Sequence, residues 1–150
     1  MIDFSEGSPG IILDMKYIKI PTVTHKSAAE IVKTAIAEGE KIGIAVSVCV
    51  VDLGLNLVAF GRADGATTHS IETSRRKANT AASTKKETGW MPESLELKLP
   101  LGTNNLLTNI PGGHPIIFDD KVVGGFGIAG GTVEQDAQVA SIVKCKIGSQ

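Results

Sequence analysis

Apolar positions along this chain recur at two periods, and the alternation between them outlines the fold. In residues 21–43, PTVTHKSAAEIVKTAIAEGEKIG, the positions Ala28, Ile31, Val32, Ala35 and Ile36 return at helical spacing. Thr24 is placed to cap the start of that helix, and Gly39 or Gly43 to end it. IAVSVCVVD is a β-branched apolar run, followed by the turn signal LGLN and by NLVAFGR, so this part predicts a hairpin. DGATTHSIETSRRKANTAASTKK predicts a second long helix. One face of it carries Ile71, Ser74, Ala78, Ala81 and Ala82, mostly small residues that let a helix lie close to whatever it covers. PIIFDDKVVGGFGIAG reads as two strands around Asp119-Asp120. TVEQDAQVASIVKCKIG reads as a closing helix whose Thr132 and Gln135 fit a capping box.

Between these lies the least regular segment, residues 88–111. WMPESLELK suggests a short helix and LPLGTNNLLTNIPGG a loop, of the length that serves binding or intersubunit contact. The first twenty residues are irregular, with a strand-like stretch at Met15 to Ile20. Two hairpins interleaved with helices predict a single α+β domain over 1–150, with an antiparallel sheet and helices packed on it. No repeat or linker interrupts it.

Composition narrows the function classes. Fifteen basic residues against sixteen acidic ones leave a net charge of -1. That balance argues against partners such as nucleic acid or a membrane surface. Aromatics make up 4%, too few for a base-stacking platform. The longest apolar run, Ile42 to Val51, is too short to span a bilayer. Asp3 and Glu6 stand where a signal peptide carries positive charge. These features lead us to expect a cytoplasmic protein. Cys49 and Cys145 have no metal-ligand spacing and read as buried or unreactive thiols.

Gly125-Phe-Gly127-Ile-Ala-Gly130 spells G-x-G-x-x-G, the glycine pattern of a dinucleotide-binding turn. That reading needs an acidic residue on a second strand about twenty positions later, and the sequence given runs out there. The glycines also sit inside a strand. Alternation puts Val122, Gly124, Phe126 and Ile128 on one face and Val123, Gly125, Gly127 and Ala129 on the other. The second face is nearly free of side chains and admits a helix, a partner or a flat ligand. Gly130-Gly131 then leads into a helix N-terminus, which either binds an anion or simply makes a tight turn. On the wheel of that last helix the core stripe holds Val133, Ala137, Val139, Ala140, Val143 and Ile147, and Asp136 falls within it. An inward carboxylate in a first turn needs backbone N–H groups, an Arg or Lys, or a ligand.

Among the histidines, His25 reads as solvated. His69 opens the middle helix and His114 follows Gly112-Gly113, positions suited to ligand contact or acid–base work. No two histidines have metal-ligand spacing and no H-E-x-x-H occurs, so we expect no built-in metal. A single histidine still suffices as an axial ligand. Arg62 can pair with a substrate carboxylate or with Asp64 or Asp136. Arg75, Arg76 and Lys77 spread over separate helix faces and read as solvated. Ser70, Thr73 and Ser74 lack a nucleophile elbow.

Three stretches, PGGHPIIFDDKVVGGFGIAGGTVEQDAQVA, VVDLGLNLVAFGRADGA and SIETSRRKANTAA, resemble in order the signature of the GlcG/HbpS family, the haem-degrading-domain family. The match runs from about Ile44 to the end; Gly54-Leu55-Asn56 departs from the family's Gly-x-hydrophobic turn, and the first twenty residues lie outside it. The resemblance implies a five-stranded antiparallel sheet with helices on its faces, of the profilin/PAS-like kind, and dimers or larger homo-oligomers. It also implies a pocket where Asp64-Gly65-Ala66, Gly112-Gly113-His114-Pro115 and Ala129-Gly130-Gly131-Thr132 converge. Family members include haem-binding proteins and a corrinoid- or haem-binding domain, so the family fixes fold better than function. Two function classes follow. One is a homo-oligomer binding a small ligand, haem or a corrinoid, in a groove lined by Gly125, Gly127 and the loops. The other is a small metabolic enzyme of lyase, isomerase or hydrolase type acting on a carboxylate or carbonyl metabolite. There Arg62 or the Gly131 turn would hold the acid, with His114 or Asp136 as catalytic base. A subunit with a purely structural role is a third, plainer option.

Overall fold

A computed structural model describes residues 15–150. Helix α1 spans His25–Lys41, and the Thr24 side chain caps it by accepting from the Ser27 N–H at 3.1 Å. Strands β1 (Ser47–Val51) and β2 (Leu57–Arg62) form the first hairpin. Its turn places Leu55 at φ +64°, with the Asp52 carboxylate accepting from the Asn56 N–H at 2.9 Å. Helix α2 is Ser70–Thr84 and α3 is Lys98–Gly102. Strands β3 (Gly113–Phe118) and β4 (Lys121–Ala129) form the second hairpin, and α4 (Val133–Lys146) closes the chain. Asp119 and Asp120 both take positive φ, the requirement of a tight two-residue hairpin turn. The capping box of Thr132 and Gln135 is present as read from sequence.

The sheet is antiparallel with order β2-β1-β4-β3, so the two hairpins join along β1 and β4. It has four strands among the described residues, not the five expected. Met15 to Ile20 does not become a strand: Tyr17, Ile18 and Ile20 remain 57–63% exposed. Among the described residues this segment pairs with neither open edge of the sheet, β2 or β3, and the chain following it meets the sheet where the Val23 N–H donates to the Val123 carbonyl at 3.0 Å. That carbonyl belongs to a bulge, because Ile116 pairs with Gly124 while Ile117 pairs with Val122. The bulge also corrects the expected alternation: Val123 joins Phe126 and Ile128 in the main core instead of facing the way Gly125 faces.

The main core lies between the sheet and the α1/α4 layer, built from Ile31, Ala35, Val48, Val50, Ile116, Phe126, Ile128, Val139 and Val143. The opposite face carries α2, over a thin cluster of Cys49, Val51, Ala78 and Ala82. The nearly side-chain-free face of β4 is therefore occupied. A Cβ at Gly125 would stand 2.7 Å from the Ala78 carbonyl oxygen and from the Ala82 nitrogen. Helix α2, and not a planar ligand, covers this face.

Two local expectations change. Residues 93–97 of WMPESLELK are turns, and the short helix forms later, over Lys98–Gly102. Cys145 is exposed, whereas Cys49 is buried as expected.

Candidate functional site

The inward carboxylate of Asp136 is 4% exposed and fully partnered. Its Oδ1 accepts from the Gly131 N–H at 2.8 Å, which ties the strand-to-helix turn to the first turn of α4. Its Oδ2 accepts from Lys77 Nζ at 3.0 Å. The Gly131 N–H is thus committed to Asp136. Lys77 comes from the middle of α2, is 1% exposed, and also donates to the Ile128 carbonyl at 2.8 Å. Burial pushes the lysine ammonium below its ordinary range, while the adjacent Asp136 charge opposes that shift. Sequence reasoning placed Lys77 on a solvated face. The one signal that could have found it is the demand of Asp136 for a buried cation.

This pair forms the floor of a cleft enclosing about 320 Å³. Thr67, His69, Ser70 and Thr73 of the α2 entry form one wall, and Ala129, Gly130 and Gly131 another. Ile110 and Val133, 41% and 45% exposed, also line it. Gly130 can turn the chain here because it has φ +144°, and a Cβ would collide with the Ala45 carbonyl. The structure thus brings together His69, Gly130, Gly131 and Asp136. Gly112, at φ +122°, lies beside the same lysine: a Cβ on it would stand 2.9 Å from Lys77 Nζ.

Other expected site residues stand apart. Gly113 packs under the Lys77 backbone and donates to the Thr88 hydroxyl at 2.9 Å. His114 turns to the opposite sheet face, where it stacks on Phe126 with ring centroids 5.8 Å apart. It is 3% exposed; its Nε2 lies 3.4 Å from Glu87 Oε1 yet makes no hydrogen bond. Burial lowers its pKa from the ordinary 6.5, with Glu87 opposing and Lys144 adding to the shift. Arg62, Asp64 and Gly65 are exposed at the end of β2 and do not line the cleft. Asp136 pairs with Lys77 and not with Arg62. Thr132 spends its hydroxyl on capping α4. Among the described residues no cluster of His, Cys, Asp and Glu could hold a metal ion, and no helix is long and apolar enough to cross a membrane.

Fold and cleft together define an α+β domain with an antiparallel sheet, helices on both faces, and a polar-floored pocket where α2 meets the start of α4. The family model described as "Haem degrading protein HbpS-like" matches residues 23–143. The chain belongs to this GlcG/HbpS family. Protein GlcG of Escherichia coli K12 is 34% identical over 108 residues, covering 71% of this chain and 81% of GlcG. The crystal structure of Klebsiella pneumoniae protein ORFY superposes with a TM-score of 0.84 at 29% identity, covering 91% of this chain and 97% of ORFY. That of HbpS superposes at 0.78 with 30% identity, covering 87% of this chain and 94% of HbpS.

Proposed function

We propose that this protein is a homo-oligomeric small-ligand-binding protein that takes haem at the mouth of the α2/α4 cleft, where His69 would hold the iron. One observation carries the reading: an exposed imidazole shares a single cleft with two exposed aliphatic side chains, Ile110 and Val133. The residues fit the group. One histidine is enough to ligate the iron, and the aliphatic pair would cover part of the porphyrin face. The pocket of about 320 Å³ is at the lower end for ligand sites, so the macrocycle would sit at the mouth and not on the floor. The family description supports haem over a corrinoid. Self-association is supported by Leu97, just before α3, and Leu101 on it, each 71% exposed.

Titration with haemin, followed by absorbance, tests the site, with cobalamin as competitor. Saturable binding with a shifted Soret band is expected, weakened about tenfold or more in His69→Ala. Wild-type affinity in both His69→Ala and Val133→Asp would overturn the assignment. Sedimentation equilibrium reads the oligomer, which Leu97→Glu with Leu101→Glu should shift toward the monomer.

A second reading has its own observation in favour. The Lys77–Asp136 pair on the cleft floor is chemistry suited to a small enzyme acting on a carboxylate or carbonyl metabolite.

A further inference from the structure

We propose that Lys77 captures a small hydroxylated aldehyde or ketone covalently, as an imine, with Asp136 moving the protons. The geometry is a buried amine on the floor of a cleft, 3.0 Å from a buried carboxylate and walled by the hydroxyl-bearing residues Thr67, Ser70 and Thr73. An ammonium has three donors. Lys77 Nζ has two acceptors, Ile128 O and Asp136 Oδ2. An apolar residue of similar volume at this position would spare the cost of desolvating an ion pair. Lysine is also the side chain whose neutral form burial promotes, which is how imine-forming lysines are activated. The direction of the shift at Lys77 agrees.

The step balances without any further reactant. The Lys77 ammonium gives a proton to Asp136, and the freed Nζ pair attacks the carbonyl carbon. A C–N bond forms, the carbonyl π pair moves to oxygen, and one Nζ proton passes to that oxygen. Asp136 then returns its proton to the hydroxyl, which leaves as water while the nitrogen pair forms C=N. The net change is ammonium plus carbonyl to protonated imine plus water. The cleft volume limits the ligand to a few carbons; the Ser70 and Thr73 hydroxyls donate to the Thr67 and His69 carbonyls, which leaves the Thr67 hydroxyl and the lone pairs of Thr73 to meet a hydroxylated one. This rests on the second reading of the cleft and is independent of haem.

Glycolaldehyde and dihydroxyacetone are the probes, added at neutral pH with cyanoborohydride to reduce any imine to a stable secondary amine. Peptide mapping of the intact wild-type protein compares Lys77 with exposed lysines such as Lys98 in the same sample, so no variant need fold. The Lys77 peptide should be modified first, at least tenfold faster than Lys98. Asp136→Asn should slow it about tenfold or more, and Lys77→Arg should abolish it with cooperative unfolding retained. An unmodified Lys77 peptide, or one modified no faster than Lys98, would overturn the capture. Capture at Lys77 without conversion of either probe supports the imine and counts against turnover, so the two claims fail separately.

Discussion

Replacing Gly127 with alanine puts a methyl group where α2 already is. An added Cβ would collide with the Ser74 carbonyl oxygen and stand 2.6 Å from the Ala78 nitrogen and 2.7 Å from the Lys77 Cβ. The first two are helix backbone, so no side-chain rotation relieves them. The helix itself must lift, along a face it shares with β1, β3 and β4. Overpacking of this kind costs about 1–3 kcal/mol, and rigid neighbours place Gly127→Ala at about 3 kcal/mol. For a chain of this size that is a fall in Tm of about 6–12 °C. Gly102→Ala is the control. It meets nothing within 4 Å and lies in α3, where alanine should stabilise by about 0.5–1 kcal/mol. Equilibrium urea unfolding followed by Trp90 fluorescence gives both values, as midpoints at constant slope. A Gly127→Ala midpoint equal to the parent's would mean that α2 is not seated on the glycines of β4.

Two further outcomes follow from buried groups. His114 has its pKa lowered by burial, so the unfolded chain binds the proton more tightly than the folded one. Its stabilising contribution is whole above about pH 6.5 and is lost as pH falls through 6.5 toward the folded value. Urea unfolding between pH 7.5 and 5 should show that loss, and His114→Phe, which keeps a ring on Phe126, should flatten it; an unchanged slope refutes the assignment. Burial also pushes the Cys49 thiol up to about 12. Iodoacetamide at pH 8 should therefore alkylate exposed Cys145 in the native protein and Cys49 only after denaturation, and equal rates at the two would contradict the packing.

Periodicity carried most of the fold. The apolar spacing from Ala28 to Ile36, the β-branched run at Val46 to Val51 and the Thr132/Gln135 capping box each determine local structure through contacts close in sequence, so each is legible without tertiary information. The fifth strand was not, because a strand exists only where a segment pairs with a sheet edge. Met15 to Ile20 has suitable residues but pairs with neither open edge, β2 or β3, and Tyr17, Ile18 and Ile20 stay exposed. The site was half legible. Asp136 stands out as a polar residue in an apolar stripe. Lys77 does not, because its neighbours Arg75 and Arg76 are 49% and 33% exposed along their side chains, and only α2 packing on β4 turns it inward. His114 shows the converse. Its place in a glycine loop suggested a ligand contact, but Gly113 faces α2, so strand alternation turns the next residue to the other side.

Three glycines from two segments are best understood through that lysine. A Cβ at Gly127 would press on the Lys77 Cβ and one at Gly112 on its Cδ and Nζ; one at Gly113 would press on its backbone carbonyl. Together they form the bed along which the side chain runs from α2 to the Ile128 carbonyl and Asp136. A side chain at Gly112 would press on the amine itself, and displacing it would leave Asp136 buried without its counter-ion, a loss of about 3–5 kcal/mol. The pattern G-x-G-x-x-G here holds no dinucleotide. Its strand glycine Gly127 makes room for a charge pair, and Gly130 and Gly131 turn the chain so that the carboxylate of Asp136 meets it.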